Sequence, residues 1–170
     1  MPRHIELNPV SHLTIGTVGP PGQRTFYLQG SRGSNVVTLV IEKAQAAMLV
    51  NSLEALVAEV ARRFPEEREG QEEVRTDMRL REPLEALFRV GNMGLGYNDQ
   101  VNRVVLVAYE LVDEGEDPNV VSFWATRSQA QALVQHTYEV VKAGRPICGN
   151  CGQPMDPGGH FCPNRNGHAK

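Results

Sequence analysis

Cys148, Cys151 and Cys162 are all the cysteines of the chain, and they lie within fifteen residues of one another. Cys148-Gly-Asn-Cys151-Gly has the shape of a zinc knuckle. Its tight turn aims two thiolates at one point and leaves backbone N–H groups to hydrogen-bond the sulfurs. A second pair of nitrogen or sulfur donors after a short loop closes a tetrahedral site with no position open to substrate, so the expected cofactor is structural zinc. With no fourth cysteine, the fourth ligand is a histidine. His160 stands two residues before Cys162, so in an extended segment both side chains leave the same face. His168 is separated from Cys162 by five residues, also within the zinc range, but it sits third from the end of the sequence, where chains fray. The expected ligand set is Cys148, Cys151, His160 and Cys162, with His168 as the alternative to His160. The competing chemistries are a redox pair and inert thiols. A redox Cys-x-x-Cys opens a helix after a strand, and Gly149, Gly152, Pro154, Pro157, Gly158 and Gly159 oppose a helix here.

Few other residues offer chemistry. Gly16-x-x-Gly19-Pro-Pro-Gly22 and Gly91-x-x-Gly94-x-Gly96 are glycine-rich, yet no Gly-Lys-Ser/Thr follows either, and turn or bulge glycines in a twisted sheet explain them better than a phosphate cradle. The carboxylates of Asp113-Glu-Gly-Glu-Asp117 read as a solvated hairpin tip, a weak divalent-ion or partner contact being the sharper alternative. His4, His12 and His136 are scattered along the chain. Phe123 and Trp124 are adjacent on one strand and so point to opposite faces, one to the core and one to the surface.

These residues need a scaffold, and the composition supplies one. At 170 residues, 41% hydrophobic and 22% charged, the chain has the make-up of one globular domain with a small appendage. No apolar run approaches the roughly eighteen residues of a membrane span, and the Met-Pro-Arg-His-Ile-Glu start lacks an apolar signal region. Thiols clustered in a metal-type site point to a reducing, cytoplasmic setting. A net charge of −3 argues against a broad electrostatic grip on nucleic acid.

The same pattern occurs twice. Residues 36–51 and 120–135 align without a gap at an offset of 84, with Val36/Val120, Val37/Val121, Gln45/Gln129, Ala46/Ala130, Leu49/Leu133 and Val50/Val134 identical. Each copy reads as three strands and a helix. In the first, Leu13–Val18, Arg24–Gln29 and the β-branched run Asn35–Ile41 are strands. Ala46, Leu49, Val50, Leu53, Val57 and Val60 then form a helical stripe along Lys43–Arg63, ended by Pro65. In the second, the strands are Leu87–Leu95, Val101–Leu111 and Asn119–Ala125. Thr126-x-x-Gln129 is a capping box for a helix with the stripe Ala130, Leu133, Val134, Thr137 and Val141, stopped by Gly144 and Pro146. The expected class is α+β. Two βββα units merge into one antiparallel sheet or half-barrel with two packed helices, and a zinc knuckle follows. Residues 1–145 form the duplicated domain, with repeat one at about 11–64, a charged linker at about 65–82 and repeat two at about 84–144; residues 146–170 form the zinc tail. Within the linker, Glu66–Arg75 offers only Val74 to a core.

The segment Val90–Tyr97 (Val-Gly-Asn-Met-Gly-Leu-Gly-Tyr) and the ending Cys148–Gly167, with its Cys-x-x-Cys-Gly-x-Pro-x-Asp-Pro and Gly-His-x-Cys-Pro elements, resemble domain-of-unknown-function family 3090. This is a bacterial family found in actinobacteria and Chloroflexi, and the resemblance covers essentially the whole chain. It implies no established activity. It implies that the Gly-His-x-Cys element is regular while the last residues vary, which favours His160 over His168. It also implies gene neighbours of phosphatase-like and kinase-like type.

Three function classes follow. The first is a non-enzymatic binding or adaptor module with a protein partner, the zinc tail serving as a small recognition knob. The second is a single-stranded nucleic-acid binder of PUR- or Whirly-like topology, with Arg24, Phe26, Tyr27, Arg32, Arg103 and Tyr109 supplying a basic, aromatic face. The third is an enzyme with a site between the repeats.

Overall fold

The computed structural model describes residues 2–20, 22–65 and 77–143. The zinc tail, with Cys148, Cys151, His160, Cys162 and His168, and the linker stretch Glu66–Arg75 lie outside the described residues. The elements run β1 (His4–Leu7), β2 (His12–Val18), β3 (Thr25–Arg32), β4 (Asn35–Ile41), α1 (Lys43–Arg63), β5 (Ala86–Asn98), β6 (Arg103–Glu110), β7 (Val120–Ala125) and α2 (Arg127–Ala143). The class is α+β, as the alternating strands and striped helices predict.

The seven strands make one sheet in the order β1-β7-β6-β5-β4-β3-β2. The expected all-antiparallel pairing is corrected: β1 pairs with β7 in parallel, and so does β4 with β5. The second pairing has a plain cause. The chain leaves β4, crosses through α1 and returns to begin β5 alongside β4, and a crossover of that length permits parallel neighbours. The first strand, His4–Leu7, is an addition to the sequence reading.

The two ends of this strand order are consecutive in the chain. Between them, the Val10 N–H donates to the Trp124 carbonyl (2.8 Å) and the Ser11 N–H to the Ser31 carbonyl (2.7 Å), so the chain steps from one edge of the sheet to the other. The sheet curls accordingly. A Cβ on Gly30 of β3 would stand 2.5 Å from the Phe123 ring of β7, so those distant strands meet across the core. Ile15, Leu28, Leu39, Leu106, Val121 and Phe123 line the inner face, and the stripes of both helices join the same cluster.

The two halves share more than element type. Residues 36–41 and 120–125 are strands, and 45–51 and 129–135 are helical. Their ladders also agree rung by rung. Gly16–Tyr27–Val40, Thr14–Gln29–Thr38 and His12–Ser31–Val36 in the first half correspond to Gly96–Val105–Trp124, Gly94–Val107–Ser122 and Asn92–Tyr109–Val120 in the second. All six triplets lie on the outer face of the sheet, since the alternate residues face the core.

α1 is, among the described helices, the one long and apolar enough to cross a membrane, with 21 residues. Its apolar stripe (Ala46, Leu49, Val50, Leu53, Val57, Val60) is buried against the core.

Candidate functional site

The outer face of the first half is polar and nevertheless buried. His12, Thr14, Gln29, Ser31 and Thr38 are all inaccessible, Gln29 completely so at 0% exposure. A segment beginning at Asp77 covers them. The His12 Nε2–H donates to the Asp77 carbonyl (2.8 Å), and the Thr14 hydroxyl to the Met78 carbonyl (2.7 Å). Gln29 grips the backbone of Arg81 at both ends, accepting from its N–H (2.8 Å) and donating to its carbonyl (2.9 Å). The Gln29 amide also donates to Thr38 Oγ1, and the Arg81 guanidinium reaches Ser31 Oγ. Above Gly16 lies Leu80, so close that a Cβ there would be 2.7 Å from its Cγ. Side chains of β2 and β3 therefore hold this segment by its backbone, with a leucine seated over a glycine. Residues 77–81 fall in the stretch read from sequence as linker; alternation along β2 and β3 hinted at a polar face, but nothing local says what covers it.

His12 is the one titratable group inside this arrangement. With Nε2–H donating to a carbonyl, Nδ1 is the bare nitrogen, and it is buried with no hydrogen-bond partner among the described residues. Burial lowers the pKa of His12 below its usual value, and the positive charge of Arg81 adds to that. Asp77 is held below the usual carboxylate range by the Arg79 guanidinium, on an exposed pair. A hollow of about 750 Å³ opens beside this strap, between Gly16, Leu80 and the α2 residues Gln135, His136 and Glu139.

The same face of the second half is open. No described atom lies within 4 Å of a Cβ placed on Gly94 or Gly96. A hollow of about 510 Å³ occupies the position over Gly96, Val105 and Trp124 that Leu80 fills in the first half. Val105, Val107 and Trp124 are half-buried, and Tyr109 is exposed. The Trp124 indole N–H donates to Ser122 Oγ (3.3 Å), which turns the ring along the face. Of the adjacent pair, Phe123 is the core residue and Trp124 the surface one, as strand alternation predicts.

The remaining sequence candidates disperse. Phe26 is buried on the inner face with Arg24 stacked on its ring at 4.8 Å, whereas Tyr27 lies on the outer face. Arg103 folds back onto the carbonyls of Val101 and Asn102. The six residues expected to form a basic, aromatic platform thus do not share one surface. Sequence reasoning missed a buried arginine: Arg127 donates to Asn102 Oδ1 (3.2 Å), the Tyr97 hydroxyl (3.2 Å) and the Phe64 carbonyl (3.1 Å), and so ties the end of α1 to the β5–β6 turn. Tyr97 and Asn102 are themselves hydrogen-bonded.

The fold and this face define a curled α+β sheet domain that holds residues 77–81 on the outer face of its first half and, among the described residues, has no segment over the matching face of its second half. The chain belongs to the family described as "Protein of unknown function (DUF3090)", whose model matches residues 5–162. No curated protein and no solved structure matches it.

Proposed function

We propose that the protein is a duplicated, non-enzymatic binding or adaptor module, and that the outer face of its second half is the surface it offers to a protein partner. One observation carries this reading: two faces of matching register differ in that one is covered by residues 77–81 and the other, around Trp124, has no segment over it among the described residues. The duplication rests on the three coincident rungs and the ungapped identities at an offset of 84. Half-buried valines and an aromatic ring beside open glycines are the kind of surface that a partner segment desolvates. Co-purification from native cells with the wild-type chain and with Trp124→Ala tests it. Partners lost with Trp124→Ala are the expected result, and an identical set of partners rejects the surface.

The reading includes a structural zinc ion on Cys148, Cys151, His160 and Cys162 and a cytoplasmic location, supported by the ligand types and spacing. Residues 146–170 carry few large apolar side chains, so metal ligation rather than burial would offset their ordering entropy. Elemental analysis is expected to give one zinc per chain, falling with Cys151→Ser while the sheet domain keeps its melting transition. Loss of zinc with His168→Ala but not with His160→Ala would exchange the fourth ligand.

A further inference from the structure

We infer that the open face of the second half binds an extended peptide that seats a leucine-sized side chain over Gly96 and flanks it with basic residues. This rests on the binding-module reading above and names the class of ligand.

The molecule supplies its own precedent. In the first half, the Gly16–Tyr27–Val40 rung lies beneath Leu80, and the absence of a side chain at Gly16 is what makes room for it. In the second half, the Gly96–Val105–Trp124 rung has the same register, the same glycine and no described occupant. A leucine entering there would meet the hollow lined by Val105 and Trp124. The grip differs in kind. Where Thr14 and Gln29 bind the strap's backbone, the second half has Gly94 and Val107, so contact there rests on apolar burial against the valines and the indole rather than on side-chain hydrogen bonds.

Charge selects the flanks. Asp99 lines the hollow, and Glu6 of β1 stands beside Ser122 in register; both are exposed. Arg103, the nearby base, is turned onto its own turn carbonyls. Asp99 and Glu6 against the one guanidinium of Arg103 leave the surroundings of Val105 and the indole net acidic, which favours a basic-apolar segment and disfavours a polyanion. The strap carries the same pattern at its centre, Arg79-Leu80-Arg81, between the carboxylates of Asp77 and Glu82.

The test uses the full chain and a synthetic peptide of residues 77–84. Trp124 is the sole tryptophan and lies on the proposed face, so its emission reports occupancy directly. The peptide is expected to shift that emission to the blue with saturation. A Leu80→Asp peptide, or a peptide with both arginines replaced by glutamate, should bind at least tenfold more weakly. Gly96→Val fills the hollow in a place with room for the added atoms, so it should melt like the wild type and bind at least tenfold more weakly too. No shift at about 1 mM peptide, a limit that corresponds to negligible affinity, would overturn the inference. So would unchanged affinity for Gly96→Val, or a shift produced by a single-stranded oligonucleotide and not by the peptide. Partner capture that depends on Trp124 together with a silent peptide titration would reject this ligand class while leaving the binding module standing.

Discussion

Gln29 shows how one side chain can decide where a segment lies. It is fully buried in the middle of β3, an unfavourable place for an amide unless every polar atom is matched, and its partners are Thr38 and both backbone groups of Arg81. Gln29→Leu keeps the volume and removes all three bonds, leaving the Arg81 N–H and carbonyl to find water. A loss of about 1–3 kcal/mol is expected in urea unfolding, with faster proteolysis at Arg79 and Arg81. His12 adds a pH dependence with a defined sign. Its folded pKa lies below the ordinary value, so the unfolded chain binds the extra proton. The stabilisation of the neutral ring is complete above about 6.5 and is lost as pH falls from there toward the folded pKa. Protonation would bury a cation near Arg81. Urea midpoints should therefore drop between pH 7.5 and 5, and His12→Gln should flatten that slope.

At the scale of the elements, Gln45 and Gln129 repay the attention that the repeated Gln-Ala draws in the sequence. Each caps its own helix, accepting from the backbone N–H of Glu42 (2.7 Å) or Thr126 (2.9 Å). Each also donates to the backbone at a place where the chain changes pairing partner. Gln45 reaches the carbonyls of Val90 and Gly91, where β5 passes from β4 to β6; Gln129 reaches Val10, between β1 and β2. Replacing either by Ala removes a cap and a crossover tie, and a cost of about 1–2 kcal/mol each is expected in denaturant titrations, adding in the double variant because the two share no hydrogen-bond partner. The helix bounds and β4 were legible because stripes, β-branched runs and Pro65 are local signals. β1 was not, since four residues give alternation too little length and its parallel partner lies more than a hundred residues away. The strap was not, because its ordering comes from side chains of β2 and β3 rather than from any period of its own. The same limit hid the open face. Sequence alternation marks Val105, Val107 and Trp124 as one side of their strands, but only comparison with the covered counterpart sets that side apart.

For the whole molecule, the decisive feature is how the chain covers the edge of β7. β7 ends the meander of the second half, and it is β1, from the opposite end of the chain, that pairs with it over Val120–Phe123. Eight residues later the same chain is pairing with β3 as β2, so the outermost strands of both halves are joined through Val10 and Ser11. β1 in this way covers β7 backbone groups that would otherwise template association with another chain. Removing residues 2–7 should expose that edge along Val120–Phe123 and withdraw Leu7 and Ile5 from the core, where Leu7 is 4% exposed. Losing a buried leucine alone costs about 2–5 kcal/mol, so the truncated chain is expected to melt at lower temperature and to self-associate in a concentration-dependent way. Size-exclusion chromatography across a dilution series reads the second effect separately from the first. A truncated chain that is destabilised yet monomeric at every concentration would mean that β1 contributes burial without guarding the edge, and that the β7 backbone is protected by another part of the chain.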